Sequence, residues 1–157
     1  MAGDASLPTA ADATAMALRF LARREYALEE LRRKLVQRGV EEGTAASVVA
    51  ELADQGYVSD ERFVEAMIRQ RTRKGYGPAR IRAELRGKGV DATIVDRALG
   101  AFEADWYERA LSWARGRQRG PLDEKARARL YRAGTNRGFS HDQVMRAIDR
   151  LRGDGSD

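Results

Sequence analysis

Apolar residues recur along the chain at the spacing of helix faces. Leu28, Leu31 and Leu35 are three and then four residues apart, and Phe63 and Met67 are four apart, so each set lies on one face of a helix. The strict alternation that indicates strands is nearly absent, and Ala, Arg, Glu and Leu, which favour helix, dominate the composition. The pattern predicts nine helices, at approximately 12–24, 27–38, 44–55, 59–73, 78–88, 91–102, 105–118, 122–136 and 140–151.

Residues that favour helix ends separate these segments. Ser140, followed three residues later by Gln143, has the sequence of a capping box, and Asp91 and Ser59 are predicted N-caps. Three helix ends carry a basic residue followed by glycine, where a left-handed backbone conformation is expected: Gly39, Gly89 and Gly138.

The predicted helices repeat in threes. The segment 26–40 recurs at 76–90, with Tyr, Leu or Ile, Leu, basic-Gly and Val all in register, and a third copy ends at 137–139. Three short helices cannot bury an adequate core alone, so neighbouring repeats must stack. We therefore expect an all-α fold in which three tandem three-helix repeats stack into an elongated, curved array. The expected divisions are a flexible N-terminal tail (1–11), repeat 1 (12–57), repeat 2 (58–103), repeat 3 (104–152) and a C-terminal tail (153–157).

Composition narrows the classes of function. The 157 residues include no cysteine and one histidine, which excludes thiolate catalysis, sulfur-ligated metal sites and two-histidine mechanisms. No apolar run reaches the length of a membrane span, and no secretory signal is visible. We expect a soluble, cytoplasmic protein that has little equipment for catalysis and that has no cofactor, no metal and no membrane contact.

The net charge of +5 conceals an alternation that follows the repeats. Residues 40–61 carry six acids and no base, residues 69–89 carry eight bases and one acid, and residues 109–137 carry nine bases and two acids. Charge that follows a structural period predicts one long basic edge and a separate acidic one. In residues 19–38 the seven bases are interleaved with three acids, so a solvated, ion-paired face and a binding surface both remain open there.

A basic edge suits phosphates or an acidic protein surface. The candidate filament-binding or DNA-binding residues are Arg69, Arg73, Lys74, Arg80, Arg82, Arg86, Lys88, Arg115, Arg117 and Arg119. Trp106 and Trp113 share a helix face, where core packing and stacking on a ligand are both open.

Other motifs have structural explanations. Residues 74–78, Lys-Gly-Tyr-Gly-Pro, lack the pattern of a phosphate-binding loop and are expected to connect two helices. His141 follows a helix cap and has no second histidine or thiol to work with, so we expect a surface residue.

The block Arg-Thr-Arg-Lys-Gly-Tyr-Gly-Pro-Ala-Arg-Ile-Arg-Ala-Glu-Leu at 71–85, followed by Lys88-Gly89-Val90, resembles the RecX family of bacterial regulators of the RecA recombinase. The lead-in at 56–64 and the outer segments at 30–35 and 137–139 are also similar to the family, and the resemblance spans about residues 15–151. It implies three tandem three-helix units with no enzymatic activity, and a role in homologous recombination, DNA repair and the SOS response.

Two departures from the family pattern bear on packing. Ala27 stands where a capping Ser or Thr is common, which predicts a loss of about 1 kcal/mol. Ala133 and Gly134 replace bulkier residues, which predicts loose packing of the last repeat.

Two functions are consistent with the sequence. The resemblance implies a negative regulator that binds the RecA–single-stranded DNA filament and inhibits filament extension, ATP hydrolysis and strand exchange. The alternative is a stand-alone, helix-turn-helix-like module that binds single-stranded and also double-stranded DNA. A helical scaffold for another partner leaves the block at 71–85 unexplained. A stacked array needs no second chain for its core, so we expect a monomer.

Overall fold

The computed structural model describes residues 6–102 and 104–155, and over these ranges it contains nine helices and no strand. The all-helical prediction is confirmed, and each predicted helix is present with its ends within three residues of the expected positions. The helices are α1 (Ala10–Leu21), α2 (Leu28–Gln37), α3 (Glu42–Asp54), α4 (Asp60–Arg73), α5 (Pro78–Gly87), α6 (Ala92–Ala101), α7 (Trp106–Arg117), α8 (Glu124–Asn136) and α9 (His141–Asp154).

The largest differences from the predicted boundaries lie at the two ends of the chain. Thr9 accepts a hydrogen bond from the Asp12 backbone, and the Asp12 side chain accepts one from Thr9, so a capping box starts α1 two residues early. At the other end α9 continues to Asp154. Residues 10–11 and 153–154 are thus helical rather than part of the expected tails. Residues 1–5 and 156–157 of those tails lie outside the described residues.

The chain divides into two compact units. The first holds the described residues up to Ala66 together with Leu85–Val95. In it α1, α2 and α3 pack around one apolar cluster. The cluster is built from the apolar faces that the sequence pattern indicated, and its members include Ala17, Leu31, Leu35, Val48, Leu52 and Val58.

The second unit holds Met67–Glu84 and the described residues from Asp96 onward. Here α7 packs mainly on α9, and α8 completes the cluster. The buried members include Leu111, Leu130, Phe139, Val144 and Ile148. The repeat boundaries at 57 and 103 stay a prediction; residue 57 lies between α3 and α4, and residue 103 is outside the described ranges.

The small residues of α8 do not loosen the third repeat, so that expectation is wrong. A Cβ added at Gly134 would lie 2.8 Å from a methyl group of Val144 and 3.1 Å from the ring of Trp113. Trp113 also packs on Phe139, with ring centroids 6.0 Å apart. Glycine makes the room that the indole ring occupies, so Trp113 serves the core.

The missing cap at Ala27 is supplied from another helix. Asp60, at the start of α4, accepts a hydrogen bond from the backbone N–H of Leu28 at 2.8 Å, and Glu30 accepts one from that of Ala27 at 3.3 Å. Burial is the main cause that raises the pKa of Asp60, and the hydrogen bond from Leu28 opposes it. The expected loss at Ala27 is therefore offset by Asp60, which bonds to Leu28 across 32 positions of the chain.

Two of the basic-Gly turns pack against the start of a preceding repeat's second helix. Gly39, Gly89 and Gly138 all have positive φ, as predicted, at 96°, 78° and 95°. In the second unit, the Gly77 N–H donates to the Arg137 carbonyl at 2.8 Å and the Ala79 N–H donates to the Gly138 carbonyl at 3.0 Å. A Cβ at Gly138 would lie 2.5 Å from the Cβ of Arg80, whereas one at Gly39 would meet nothing within 4 Å.

This difference generates a prediction for matched alanine variants. Gly39→Ala introduces only the strain of a left-handed alanine, about 1 to 2 kcal/mol. Gly138→Ala adds a backbone-level clash with α5, so its free energy of unfolding should fall by a further ~1 to 3 kcal/mol. Urea denaturation of both variants measures the difference. Equal losses for the two variants would show that the close approach at Gly138 contributes nothing to stability.

Candidate basic interface

The ten candidate cations lie on α4, α5, α7 and the connections that follow these helices. Nine are exposed, and Lys88 is half-buried. Arg69 and Arg73 are four residues apart on α4 and so share a face. Neither makes an ion pair with another residue in the described ranges.

Between them, Arg71 turns toward the protein. Its Nε lies 2.7 Å from a carboxylate oxygen of Glu84 on α5, and both side chains are about three-quarters buried. Thr72, beside it, is buried. The run of bases at the end of α4 thus separates into one structural arginine and an outward pair that stays available to a ligand.

On α5 the candidates differ in how far they are engaged. Arg80 pairs with Glu84 at 3.3 Å and lies over the ring of Tyr76. Arg82 pairs with Asp96 at 3.2 Å, but both partners are about half exposed, so the pair is worth only about 0 to 1 kcal/mol. Arg86 makes no ion pair within the described chain.

Lys88 is held by an acid of the first repeat. Its Nζ lies 2.6 Å from Glu30, whose other neighbour is Arg24 at 3.0 Å and whose side chain is only 10% exposed. Burial alone would raise the pKa of Glu30, but the hydrogen bonds from Arg24 and Lys88 outweigh it and lower that pKa. Lys88 thus has a structural role in addition to any binding role.

The third-repeat candidates are also unequal. Arg115 donates to Asp154 at 2.8 Å, and this hydrogen bond is the main cause that lowers the pKa of Asp154. Arg117 lies 5.8 Å from the ring centre of Trp113. Arg119, in the connection to α8, pairs with no described carboxylate.

Arg129 on α8 lies beside Arg117 and Arg119, and the sequence analysis did not include it among the candidates. Arg117, Arg119 and Arg129 line one surface depression of about 220 Å³, together with Gln118 and Leu130. No acidic residue of the described chain lines it. The only signal for Arg129 in the sequence is its place in the base-rich segment 109–137, since local spacing does not bring α8 to the end of α7.

The structure brings part of the candidate set together within each unit. Arg86 and Lys88 belong to the first unit and the other eight to the second. A single continuous basic edge stays a prediction. Across the described ranges no cluster of three or more His, Asp or Glu is arranged to hold a metal ion. None of the helices described is both long and apolar enough to cross a membrane.

Family models and sequence relatives both match this chain to the same family of proteins. A model described as the first three-helix domain of RecX matches residues 13–52, and one described as the second three-helix domain matches residues 59–99. The chain is 40% identical over 133 residues to the regulatory protein RecX of Stenotrophomonas maltophilia (strain K279a), covering 83% of this chain and 82% of the relative. It is 41% identical, with the same coverage, to the regulatory protein RecX of Xanthomonas axonopodis pv. citri (strain 306).

The fold has a solved counterpart. The crystal structure of RecX from Lactobacillus salivarius superposes with a TM-score of 0.75 at 20% identity, covering 90% of this chain and 96% of that one. At that identity the likeness shows the fold, and the sequence relatives show the family. The chain therefore belongs to the RecX family of regulatory proteins.

The Glu30 cluster predicts a stability change with pH. Because folding lowers the pKa of Glu30, its ionised form stabilises the folded protein above the ordinary value of 4.5, and this stabilisation is lost as the pH falls below 4.5 through the folded-state pKa. Glu30→Gln should lower the free energy of unfolding by about 1 to 2 kcal/mol at neutral pH, and the difference from the parent protein should shrink in acid.

Chemical denaturation at a series of pH values checks this expectation. Glu65→Gln, at an exposed residue of α4 without an ion pair among the described residues, serves as the control. A deficit for Glu30→Gln that stays constant from neutral to acidic pH would contradict the assignment.

Proposed function

We propose that this protein is a negative regulator of the RecA recombinase in recombination and DNA repair in the cytoplasm. It binds the RecA–single-stranded DNA filament and slows filament extension, ATP hydrolysis and strand exchange. Membership of the RecX family supports the regulatory role. The exposed cations on and after α4 and on α5 support a binding mode that uses charge.

The observation that carries the proposal is the set of exposed bases left without an acid. Arg69, Arg73, Lys74 and Arg86 lie within twenty residues of one another in the sequence and pair with no carboxylate in the described ranges. A base that is already paired must lose that partner before it meets a new anion, whereas an unpaired base gives up only water. These four residues are therefore the most readily available contacts that the central repeat can offer to an acidic protein surface or a phosphate.

The near absence of histidine and cysteine side chains from the chain supports regulation by binding alone. The single histidine, His141, has its Nδ1 3.0 Å from the hydroxyl of Tyr131, and the sequence has no cysteine. Repeated three-helix units suit a partner that is itself repetitive, because several modest contacts to successive subunits add up to a high avidity. We propose that the protein acts as a monomer along such a filament.

Charge reversal on α4 tests the proposal. Arg69→Glu with Arg73→Glu should raise the protein concentration needed to slow single-stranded-DNA-dependent ATP hydrolysis by the cognate RecA about tenfold. The reason is that two attractive contacts become repulsive. Arg19→Glu with Arg23→Glu, at exposed positions on and just after α1, makes the same change in charge elsewhere and should inhibit like the parent protein. If a several-fold excess of the parent protein over filament subunits leaves the rate of ATP hydrolysis unchanged, the proposal is wrong.

A second candidate, direct binding of nucleic acid, is favoured by the depression of Arg117, Arg119 and Arg129. Arginines grouped without an acid are typical of phosphate sites. Arg119→Gln with Arg129→Gln should weaken binding of a fluorescent oligothymidylate. The slope of log affinity against log salt should also become shallower, by about 0.7 for each phosphate that the variant no longer neutralises.

Fluorescence anisotropy over a salt series measures both quantities. Arg19→Gln with Arg23→Gln removes the same charge and should leave the slope close to that of the parent protein. Identical slopes for the two double variants would exclude the depression as a phosphate site.

A further inference from the structure

Repeats 1 and 2 share a tyrosine and a base before the second helix but differ in the order of an acid and a base on that helix. With the offset of 50, Tyr26 corresponds to Tyr76 and Arg24 to Lys74, so an aromatic ring and a base are kept. The acid and base four residues apart on the second helix exchange places, because Glu30 corresponds to Arg80 and Lys34 to Glu84. The basic-Gly turn that meets each second helix comes from the following repeat, and both turns carry a base. That base is Lys88 for α2 and Arg137 for α5.

We call the contact between the start of α2 and the Lys88-Gly89 turn the first junction. There Glu30 is the central acid. Arg24 donates to its two carboxylate oxygens at 3.0 and 3.1 Å, and Lys88 lies 2.6 Å away. The guanidinium of Arg24 also stacks 3.6 Å from the ring centre of Tyr26. The first junction thus places one buried carboxylate between two bases beside a tyrosine.

The second junction is the contact between the start of α5 and the Arg137-Gly138 turn, which are the corresponding segments one repeat later. Gly138 approaches Arg80 on the first turn of α5, as Gly89 approaches Glu29 on the first turn of α2. The backbone hydrogen bonds from Gly77 and Ala79 fix the turn in place. The two junctions differ in these bonds, because the N–H groups of Ala27 and Leu28 donate instead to the side chains of Glu30 and Asp60. The correspondence between the junctions is therefore one of residue position in the repeats.

Their charges are not equivalent. The guanidinium carbons of Arg80 and Arg137 lie 4.3 and 4.7 Å from the ring centre of Tyr76, so the two cations are at most about 9 Å apart. The acid that pairs with Arg80, Glu84, is shared between Arg71 at 2.7 Å and Arg80 at 3.3 Å.

The two remaining bases of the second junction are left without an acid. Arg137 donates to the backbone carbonyl of Lys74 at 3.2 Å. Neither the side chain of Lys74 nor that of Arg137 meets a carboxylate of the described chain. Each contact with the ring of Tyr76 is favourable, but the two guanidiniums repel each other, and a carboxylate bound beside them would reduce that repulsion.

We propose that the second junction is a binding site for an acidic side chain of a partner protein, whose carboxylate takes the position that Glu30 holds in the first junction. Lys74, Arg80 and Arg137 supply the donors, and Tyr76 supports them. A surface cleft of about 510 Å³, lined also by Thr135 and Asn136, adjoins Arg80 and gives the incoming side chain an approach to it. Lys74, Tyr76 and Arg137 are not among the residues that line this cleft.

Two features favour a carboxylate over a nucleic-acid phosphate. The corresponding position in the first repeat is held by a carboxylate, that of Glu30, which two bases contact. Glu84 also lines the cleft, and its charge opposes a chain of successive phosphates more strongly than it opposes one acidic side chain. The source of the acid, a recombinase filament, rests on the proposed function; the site itself does not.

The test compares Arg80→Glu with Arg109→Glu, which makes the same change in charge at an exposed residue of α7 in the same unit. Arg80→Glu places a carboxylate at the position that corresponds to Glu30, so the variant's own carboxylate should occupy the site. Glu84 stays where the first repeat has Lys34. The melting temperature of Arg80→Glu should rise, and its affinity for a fluorescent peptide of ten glutamates should fall at least tenfold. Arg109→Glu should not raise the melting temperature and should lower the affinity for the peptide less than threefold. Lys74→Gln, at an exposed side chain, should lower the affinity for the peptide without raising the melting temperature.

The proposal is overturned if the parent protein does not bind the peptide at low salt, or if Arg80→Glu and Arg109→Glu behave alike. It is also overturned if Arg80→Glu abolishes binding of an oligothymidylate of equal charge while the peptide still binds, since the site would then take phosphate. A parent protein that binds the peptide but leaves RecA hydrolysis unchanged refutes the proposed function and leaves this site standing.

Discussion

The contact on which the fold depends is the seating of a basic-Gly turn against the first turn of another repeat's second helix. Repeats of three short helices are expected to bury too little apolar surface to fold alone, so such repeats need close contacts with their neighbours. The turns provide these contacts because glycine at positive φ lets backbone meet backbone, as between Gly77 and Arg137. A side chain at Gly138 would clash with the backbone and Cβ of Arg80 and push the turn away from α5.

The bases of the chain are of two kinds. Some are paired with an acid that is largely buried, as Lys88 is with Glu30 and Arg71 is with Glu84. Others, among them Arg69 and Arg73, project from the helices without a carboxylate in the described ranges. A count of lysines and arginines mixes the two kinds, and only the second kind is ready to meet a partner.

Local sequence signals predicted the elements well. Apolar spacing located the helices, Ser140 with Gln143 located a cap, and the glycine at 138 marked a turn, because each of these depends on neighbours within a few residues. The repeat was visible for the same reason, since the copies share a local pattern. The family resemblance agrees with the matches to the RecX domains.

What the sequence could not predict depends on partners that are distant in the chain. Asp60 caps α2 from 32 residues away, and Lys88 reaches Glu30 across 58. The tight packing at Gly134 depends on a tryptophan of another helix, so a residue that looked too small proved necessary. The grouping of Arg129 with Arg119 has the same origin, because it follows from how α8 packs and not from spacing along the chain.

Amide hydrogen exchange, measured with and without RecA filaments assembled on single-stranded DNA, tests the central claim most directly. The unpaired bases around α4 and α5 should form the contact, so peptides covering residues 69–88 should exchange more slowly when filaments are present. Slower exchange confined to the acidic segment 40–61, with residues 69–88 unchanged, would contradict the account.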